Sequence, residues 1–310
     1  VGGMTALALL CPGQGGQHRT MFERLAGHAA AEAVLQTATA VLGYDPRAQA
    51  RDAGDDALYR NSIAQPLVCS AILATWAAIG AVLPPPRLIA GYSVGELAAY
   101  GCAGALDVAQ TLTLALRRAA LMDETATPSA LTAVIGLGRR PVETLCREHA
   151  ASIAIVNGPE HFVVGASLPQ LVAIEAAARA QGATRVVRLR ISVAAHTPLL
   201  QGASPRFEAA LAASAMCNPA IPVLAGISGA PVRTRETAIT TLATQLSSTL
   251  DWLACMHAAY EMGARVFLEL GPGKALTRML LDTHPNVAAR SVDEFRSLDG
   301  VYDWVQQHLA

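Results

Sequence analysis

The sequence predicts an α/β fold, with a parallel, doubly wound sheet and a smaller subdomain inserted into it. Short apolar runs alternate with helical patterns along most of the 310 residues, which is typical of a parallel sheet covered by helices. Hydrophobic residues make up 52% of the chain and charged residues 15%, so the composition favours a compact protein with a large core. Between residues 128 and 193 the order of the elements changes, and this change predicts the insertion.

The N-terminal part supplies the first strands and helices of the large domain. A buried strand over Ala6–Cys11 ends in a glycine-rich loop. Helical patterns follow, and the one at 66–82 has proline at its start, where a missing N–H costs nothing. An apolar run at 88–90 precedes another helical pattern. Asp107, followed three residues later by Gln110, then predicts a capping box at the start of the next helix.

Residues 128–193 predict a separate small subdomain. Their segments follow the order βαββαβ, which is the ferredoxin-like pattern. Asn157-Gly158-Pro159 predicts the turn between the second and third of these strands. The predicted strands cover 131–137, 152–156, 162–165 and 185–191, and the predicted helices cover 141–149 and 169–181.

The α/β alternation resumes after the insertion, so residues 4–127 and 194–310 are expected to form one large domain. The natural chain is expected to begin at Met4, because Val1-Gly2-Gly3 does not resemble a natural start. The predicted elements of the C-terminal part are a strand at 222–227, a helix at 236–246, a strand at 265–270 and a helix that ends near 281.

Charge and cysteine usage argue against several classes of function. The net charge is −1 and no basic run occurs, so nucleic-acid binding has little support. The six cysteines contain no Cys-x-x-Cys pair, which favours buried free thiols in a reducing cytoplasm over disulfides or a metal site. The N-terminal residues do not predict a signal peptide, and no apolar run reaches the ~18 residues of a membrane span. The sequence therefore predicts a cytoplasmic protein that contacts no membrane.

Gly91-Tyr92-Ser93-Val94-Gly95 has the Gly-x-Ser-x-Gly pattern of a nucleophile elbow. An apolar run precedes it and a helical pattern follows it, which is the strand–turn–helix setting that this motif needs. The glycines allow a sharp turn, and the serine hydroxyl is then placed at a helix N-terminus, where N–H groups favour negative charge. Ser93 is therefore the candidate nucleophile. The alternative is an ordinary strand–helix turn with a serine cap.

A nucleophilic serine needs a base and hydrogen-bond donors for the oxyanion. Of the eight histidines, His196 is best placed, because small residues flank it where the chain re-enters the large domain. A loop histidine with only local bonds is the alternative. The amide of Val94, directly after the nucleophile, is one candidate donor. The glycine-rich loop around Gln14 is the candidate for the second donor. The alternative is that this loop is only a tight turn. A dinucleotide-binding fingerprint is excluded, because its third glycine would fall at His18.

Two neighbouring arginines, Arg117 and Arg118, lie in a helical segment that is otherwise apolar. An arginine at such a position usually extends to solvent. A buried one would need a carboxylate or a phosphate, which the planar guanidinium binds through two hydrogen bonds. Gly271-Pro272-Gly273-Lys274 lacks the spacing of a P-loop, and we interpret it as strand-end packing.

Together these motifs resemble the malonyl-CoA:acyl carrier protein transacylase family over nearly the whole chain. Arg118 falls at the family's substrate arginine, with Met122 marking the register. The stretches that carry the resemblance are Pro12-Gly13-Gln14-Gly15-Gly16-Gln17, Gln65-Pro66, Gly91 to Glu96, Ser192 to His196, Gln245-Leu246 through Trp252, and Glu269 to Lys274.

The resemblance implies an α/β-hydrolase-like large domain with a ferredoxin-like insert, and it assigns roles. Ser93 would attack a malonyl thioester and His196 would take its proton. The backbone amides of Gln14 and Val94 would hold the oxyanion. Arg118 would pair with the free carboxylate of the malonyl group.

Three further residues are expected in or near the pocket. Gln65, Asn157 and Gln245 would line it or orient the histidine, which in the family is held by a backbone carbonyl near Gln245. The resemblance implies no bound cofactor and no metal. The substrates would be malonyl-CoA and the phosphopantetheine-type thiol of an acyl carrier protein.

Tyr92 departs from the family pattern, which usually has histidine before the nucleophile. The stretch from Gly91 to Gly101 resembles the branch found as the epsilon subunit of biotin-independent malonate decarboxylase. That branch charges the decarboxylase's own carrier subunit, whose arm is a phosphoribosyl-dephospho-CoA group. The alternative within the family is a transacylase of fatty acid or polyketide synthesis.

Two functions of other classes also stay open. A serine hydrolase, such as a thioesterase, would use water as acceptor and would need an acid between Ser93 and His196 in chain order. The acids there are mostly typical of caps or solvated helix faces. A catalytically silent docking subunit would not need an intact set of Ser93, His196 and Arg118.

Overall fold

The computed structural model describes residues 6–54 and 56–310, so the expected start at Met4 lies outside the described residues. The fold is mixed α/β and contains two sheets. The strands are β1 (Ala6–Cys11), β2 (Leu88–Gly91), β3 (Ser129–Ile135), β4 (Ser152–Gly158), β5 (His161–Ser167), β6 (Arg185–Arg188), β7 (Val223–Leu224), β8 (Pro231–Val232), β9 (Leu250–Asp251), β10 (Ala264–Glu269) and β11 (Ala288–Ser291). The helices are α1 (Ala29–Leu42), α2 (Pro46–Asp52), α3 (Asn61–Ile79), α4 (Val94–Cys102), α5 (Val108–Thr125), α6 (Arg139–Glu148), α7 (Leu168–Ala180), α8 (Ala203–Ala213), α9 (Arg235–Gln245), α10 (Trp252–Glu261), α11 (Ala275–Thr283) and α12 (Leu298–Leu309).

The first sheet has the strand order β11-β10-β1-β2-β7-β8. Its neighbouring strands are parallel, except that β8 runs antiparallel to β7. The central strands β1, β2 and β10 are almost continuously apolar and buried, as expected for a parallel sheet with helices on both faces. Because β1 and β2 are paired in parallel with Cys11 opposite Gly91, the loops that follow them lie side by side at one edge of the sheet.

The second sheet has the strand order β6-β3-β5-β4-β9. Neighbouring strands among its first four are antiparallel, and these four strands come from one continuous segment, whereas β9 comes from much later in the chain and pairs in parallel with β4. Side chains of α6 and α7, such as Val142 and Leu171, pack with Phe162 of β5 into a core of their own. The edge strand β9 was not predicted, because two residues are too short to show a period.

Several predicted boundaries are wrong. Asn157 and Gly158 belong to β4, so the predicted turn begins two residues too early. The strand predicted at 185–191 ends at Arg188. The helix predicted from Pro66 begins at Asn61, because the carbonyl of Arg60 already accepts from two following amides and Pro66 is accommodated inside the helix.

Other predictions agree with the structure or need one correction. The capping box of Asp107 and Gln110 is confirmed at the start of α5. Five of the six cysteines are buried, but Cys217 is exposed, so its predicted burial is wrong. Helix α3 is long and apolar enough to cross a membrane by length and composition, yet 78% of its 18-residue apolar window is buried within the protein. That burial is what a core helix of a globular domain shows.

Candidate active site

The nucleophile elbow lies where β2 ends and α4 begins. Ser93 has φ 55° and ψ −120°, a backbone conformation that L-residues rarely adopt. The two glycines make this turn sterically feasible. A Cβ on Gly91 would lie 2.2 Å from the Cα of Glu96, and one on Gly95 would lie 2.1 Å from the carbonyl oxygen of Cys11. The strand–turn–helix setting predicted from the motif is therefore present.

The structure brings His196 to Ser93 across 103 residues of sequence. The Ser93 hydroxyl lies 2.8 Å from Nε2 of His196, and Nδ1 lies 2.6 Å from the backbone carbonyl oxygen of Gln245. A carbonyl can only accept, so Nδ1 carries the proton and Nε2 accepts from the serine. The alternative of a loop histidine with only local bonds is therefore wrong.

The C-terminal end of α9 holds this histidine. The His196 amide donates to the carbonyl of Leu246 at 2.9 Å, and Gln245 supplies the carbonyl for Nδ1. Both carbonyls are at a helix end, where they have no intrahelical partner and are free to accept. The partial negative charge of a helix C-terminus also stabilises a positively charged imidazolium.

The environment of His196 keeps its ring neutral. The side chain is 1% exposed, and burial together with the positive charge of Arg118 lowers its pKa to about 3, against the opposing effect of the Gln245 carbonyl. A neutral ring with a free Nε2 is the form that can accept the serine proton. The pair is therefore arranged for general-base activation of Ser93.

The two backbone amides named from the sequence belong to segments that meet at Ser93. Val94 is the first residue of α4, so its N–H is one of the unpaired donors of that helix. The loop after β1 packs on the elbow: a Cβ on Gly13 would lie 2.7 Å from the carbonyl oxygen of Tyr92. Gln14 follows directly and lines the same cavity as Ser93.

Arg118 extends from α5 toward the nucleophile and is 2% exposed. Its Nη2 lies 3.4 Å from the Ser93 hydroxyl oxygen. The guanidinium donates to the side-chain oxygens of Gln65, at 2.9 Å, and Gln245, at 3.2 Å. Within residues 6–54 and 56–310 no carboxylate forms an ion pair with it, whereas Arg117 is exposed. Burial lowers the Arg118 pKa to about 10, so the group stays positive at neutral pH.

Sequence reasoning missed one buried acid at this site. Glu96, in the first turn of α4, is fully buried and accepts hydrogen bonds from the side-chain amide of Gln245 and, at 3.0 Å, from the amide of Gly226. Its Oε1 has no partner among the described residues, and burial raises its pKa to about 7. The available signal was its position three residues after the nucleophile, in a helix whose other residues are almost all apolar or small.

A cavity of about 690 Å³ opens onto Ser93 and His196, which is a typical size for a small-molecule site. Strands of the second sheet and loops that follow strands of the first sheet line it, and Asn157 lies in its wall with Nδ2 3.4 Å from Nε2 of His161. Tyr92 also lines it, and its ring packs edge-on against Trp252 with centroids 5.5 Å apart. Of the three residues expected in or near the pocket, Asn157 contacts the cavity, and Gln65 and Gln245 bond to Arg118.

A family model and a curated relative both indicate an acyl transferase. A family model described as an acyl transferase domain matches residues 8–295. The chain is 29% identical over 303 residues to the malonyl CoA-acyl carrier protein transacylase of Salmonella typhimurium, covering 94% of this chain and 97% of that protein.

Solved structures are similar over almost the full length. The malonyl CoA-acyl carrier protein transacylase from Coxiella burnetii has a TM-score of 0.93 and 25% identity, covering 99% of each chain. A malonyl-transacylase in complex with a type II PKS acyl-carrier protein has a TM-score of 0.92 and 28% identity, covering 96% of this chain and 99% of that chain.

Proposed function

The chain belongs to the acyl transferase domain family, and on that basis we propose that it transfers a malonyl group from malonyl-CoA to the thiol of an acyl carrier protein. The position of Arg118 is the main support: this buried cation has no carboxylate partner among the described residues and lies 3.4 Å from the hydroxyl oxygen of Ser93. A malonyl thioester offers a carbonyl carbon to the serine and a free carboxylate to the arginine. Acetyl-CoA would offer only the first.

In the first half of the reaction, Ser93 attacks the thioester carbonyl and its proton moves to Nε2 of His196. The amides of Gln14 and Val94 donate to the oxyanion of the tetrahedral intermediate, each lowering the barrier by roughly 3–4 kcal/mol. The intermediate collapses, the carbon–sulfur bond breaks, and the CoA sulfur takes the proton from His196. The product of this half is a malonyl ester on Ser93.

In the second half, the carrier thiol replaces CoA. His196 takes the thiol proton, the sulfur attacks the ester, and the Ser93 oxygen leaves with the proton that His196 returns. Ping-pong kinetics follow from this sequence. The enzyme needs no bound cofactor or metal in this scheme, because the serine and histidine supply both the nucleophile and the proton transfers.

We further propose that the acceptor is the carrier subunit of malonate decarboxylase, with a phosphoribosyl-dephospho-CoA arm, in the cytoplasm. Tyr92 before the nucleophile supports this choice, and its ring lines the cavity through which the arm would enter. The alternative is an acyl carrier protein of fatty acid or polyketide synthesis, which the names of the similar proteins favour.

We also propose that residues 4–127 and 194–310 form an α/β-hydrolase-like catalytic domain and that 128–193 form a ferredoxin-like subdomain. The antiparallel strand order β6-β3-β5-β4 supports the second assignment. In this arrangement the cavity wall receives residues from both units.

A transfer assay with two carriers tests the proposal. The enzyme is incubated with labelled malonyl-CoA and either the decarboxylase carrier or a fatty-acid carrier, each with its own arm attached. We expect label on the carrier thiol and faster transfer to the decarboxylase carrier. Faster transfer to the fatty-acid carrier would refute the acceptor assignment. Release of free malonate, with neither carrier labelled, would refute malonyl transfer and indicate a hydrolase.

A further inference from the structure

The side chain of Gln245 connects the general base to the arginine beside the nucleophile. Its backbone carbonyl accepts from Nδ1 of His196 at 2.6 Å, and its side-chain oxygen accepts from Nη2 of Arg118 at 3.2 Å. Its side-chain nitrogen donates to Glu96. The orientation of one amide therefore decides whether an acceptor or a donor faces the guanidinium.

A free amide side chain has no strong preference between its two orientations, because oxygen and nitrogen are nearly equal in size. If the Gln245 amide were reversed, its N–H groups would face the N–H groups of Arg118, and two buried donors would lose their partners. Oε2 of Glu96 already accepts from the amide of Gly226, and it is an acceptor whether the carboxyl is ionised or carries a proton on Oε1. Glu96 on the other side of the amide therefore permits one orientation and disfavours the other.

The surroundings of Glu96 hold its carboxyl group against the side chain of Gln245. Its Oε2 accepts from both Gln245 and the amide of Gly226, and a Cβ on Gly226 would lie 2.7 Å from that oxygen. Its Oε1 has no partner among the described residues, which costs stability in a fully buried group. Arg118 is the charged group that favours its ionised form.

We propose that Glu96 is a positioning residue of the acyl transfer: it keeps the side-chain oxygen of Gln245 on Arg118, and by holding this side chain it anchors the residue whose backbone carbonyl accepts from His196. This inference rests on the proposed function for its kinetic consequences. The effect on the histidine ring exists in the free enzyme and does not depend on the substrate.

Glu269 provides a matched control. It is also a fully buried glutamate whose pKa burial raises to about 7. Its oxygens accept from the amides of Leu276 and Thr277 and from the Thr277 hydroxyl, at 2.7–3.2 Å. These bonds cap the start of α11, so Glu269 stabilises the fold without contacting Gln245, His196 or Arg118 in the described structure.

The test compares Glu96→Ala, Glu96→Gln and Glu269→Ala with the wild type. The first readout is the proton NMR signal of Nδ1–H of His196 in the free enzyme. The second is kcat and KM for malonyl-CoA and acetyl-CoA, per folded enzyme. We expect Glu96→Ala to shift or broaden the Nδ1–H signal, to lower kcat for malonyl transfer by about 100-fold, as a misplaced catalytic group does, and to reduce the malonyl-over-acetyl preference.

The other variants separate positioning from stability. The amide oxygen of Glu96→Gln can still accept from Gln245, so this variant should recover most of the signal and the preference. Glu269→Ala should lower the melting temperature and leave both readouts as in the wild type. If Glu96→Ala does not fold, Glu96→Asp replaces it, because the shorter side chain cannot reach Gln245 from the same backbone.

An Nδ1–H signal and a malonyl preference unchanged in Glu96→Ala, with only stability reduced as in Glu269→Ala, would overturn the inference. Absence of malonyl transfer by the wild type would instead refute the proposed function. The two failures are distinguishable, because the NMR signal is recorded without substrate.

Discussion

Replacing Arg118 with alanine tests how the pocket selects its acyl group. In the wild type the guanidinium is 2% exposed, has no ion-paired carboxylate in the described structure, and lies 3.4 Å from the Ser93 hydroxyl oxygen. A malonyl carboxylate would therefore pair with it away from water. Removing one partner of a buried, hydrogen-bonded charge pair costs about 2–5 kcal/mol. At 1.36 kcal/mol per factor of ten, kcat/KM for malonyl-CoA should fall by about 30-fold to about 5,000-fold.

Acetyl-CoA carries no carboxylate, so its kcat/KM should change much less. The ratio of the two substrates is the quantity to measure, since it cancels losses that affect the nucleophile itself. Arg118→Ala also leaves the side-chain oxygens of Gln65 and Gln245 without a donor, and each buried unsatisfied group costs about 1–3 kcal/mol of stability. Activities must therefore be expressed per folded enzyme.

Arg117→Ala is the matched control, because Arg117 precedes Arg118 on α5 but is exposed. It should keep the wild-type ratio. A folded Arg118→Ala enzyme that still prefers malonyl-CoA as strongly as the wild type would refute the assignment of Arg118 to the substrate carboxylate.

Three further outcomes are expected. His196→Ala should slow acylation of Ser93 by about 10²–10⁴-fold in stopped-flow assays, for loss of general-base help, and a near-normal rate would remove His196 from the mechanism. The pKa of His196 is lowered to about 3 in the folded state and is about 6.5 in the unfolded state. Between these two pH values only the unfolded state binds the proton, so His196 makes the free energy of unfolding fall as the pH drops. His196→Asn should therefore lose less stability than the wild type in urea unfolding between pH 6.5 and pH 4, and equal losses would contradict the lowered pKa. Gly95→Ala places a Cβ 2.1 Å from the Cys11 carbonyl oxygen and should destabilise the fold by at least about 1–3 kcal/mol. Gly300→Ala, inside α12 with only ordinary contacts at 3.7 Å, should be neutral or slightly stabilising, and similar melting temperatures for the two variants would argue against the tight elbow.

The sequence predicted the elements whose local signals were strong. The strand Ala6–Cys11 was predicted with its observed bounds, and the capping box at Asp107 is confirmed. Elements that depend on distant partners were missed or misplaced. Strand β9 exists only because β4 offers it an edge, and Asn157 extends β4 because its neighbours pair with β5.

In the candidate site, too, local features were predicted and contacts between distant segments were not. Local motifs identified Ser93 and the donors around it, because an elbow is a property of a short stretch of chain. The distance from Ser93 to His196 could not be predicted from the residues alone, since it depends on where α9 ends. Glu96 was part of the quoted motif, but its contacts were not predicted, because its partner Gln245 is 149 residues away in sequence and a lone acid in a helix is usually a solvated one.

The most direct test is mass spectrometry of the enzyme after brief incubation with malonyl-CoA in the absence of a carrier. We expect one malonyl group per chain, as an ester on the peptide that contains Ser93, and no adduct on Ser93→Ala. An unmodified wild-type protein, or the same adduct on the Ser93→Ala protein, would contradict malonyl transfer through Ser93.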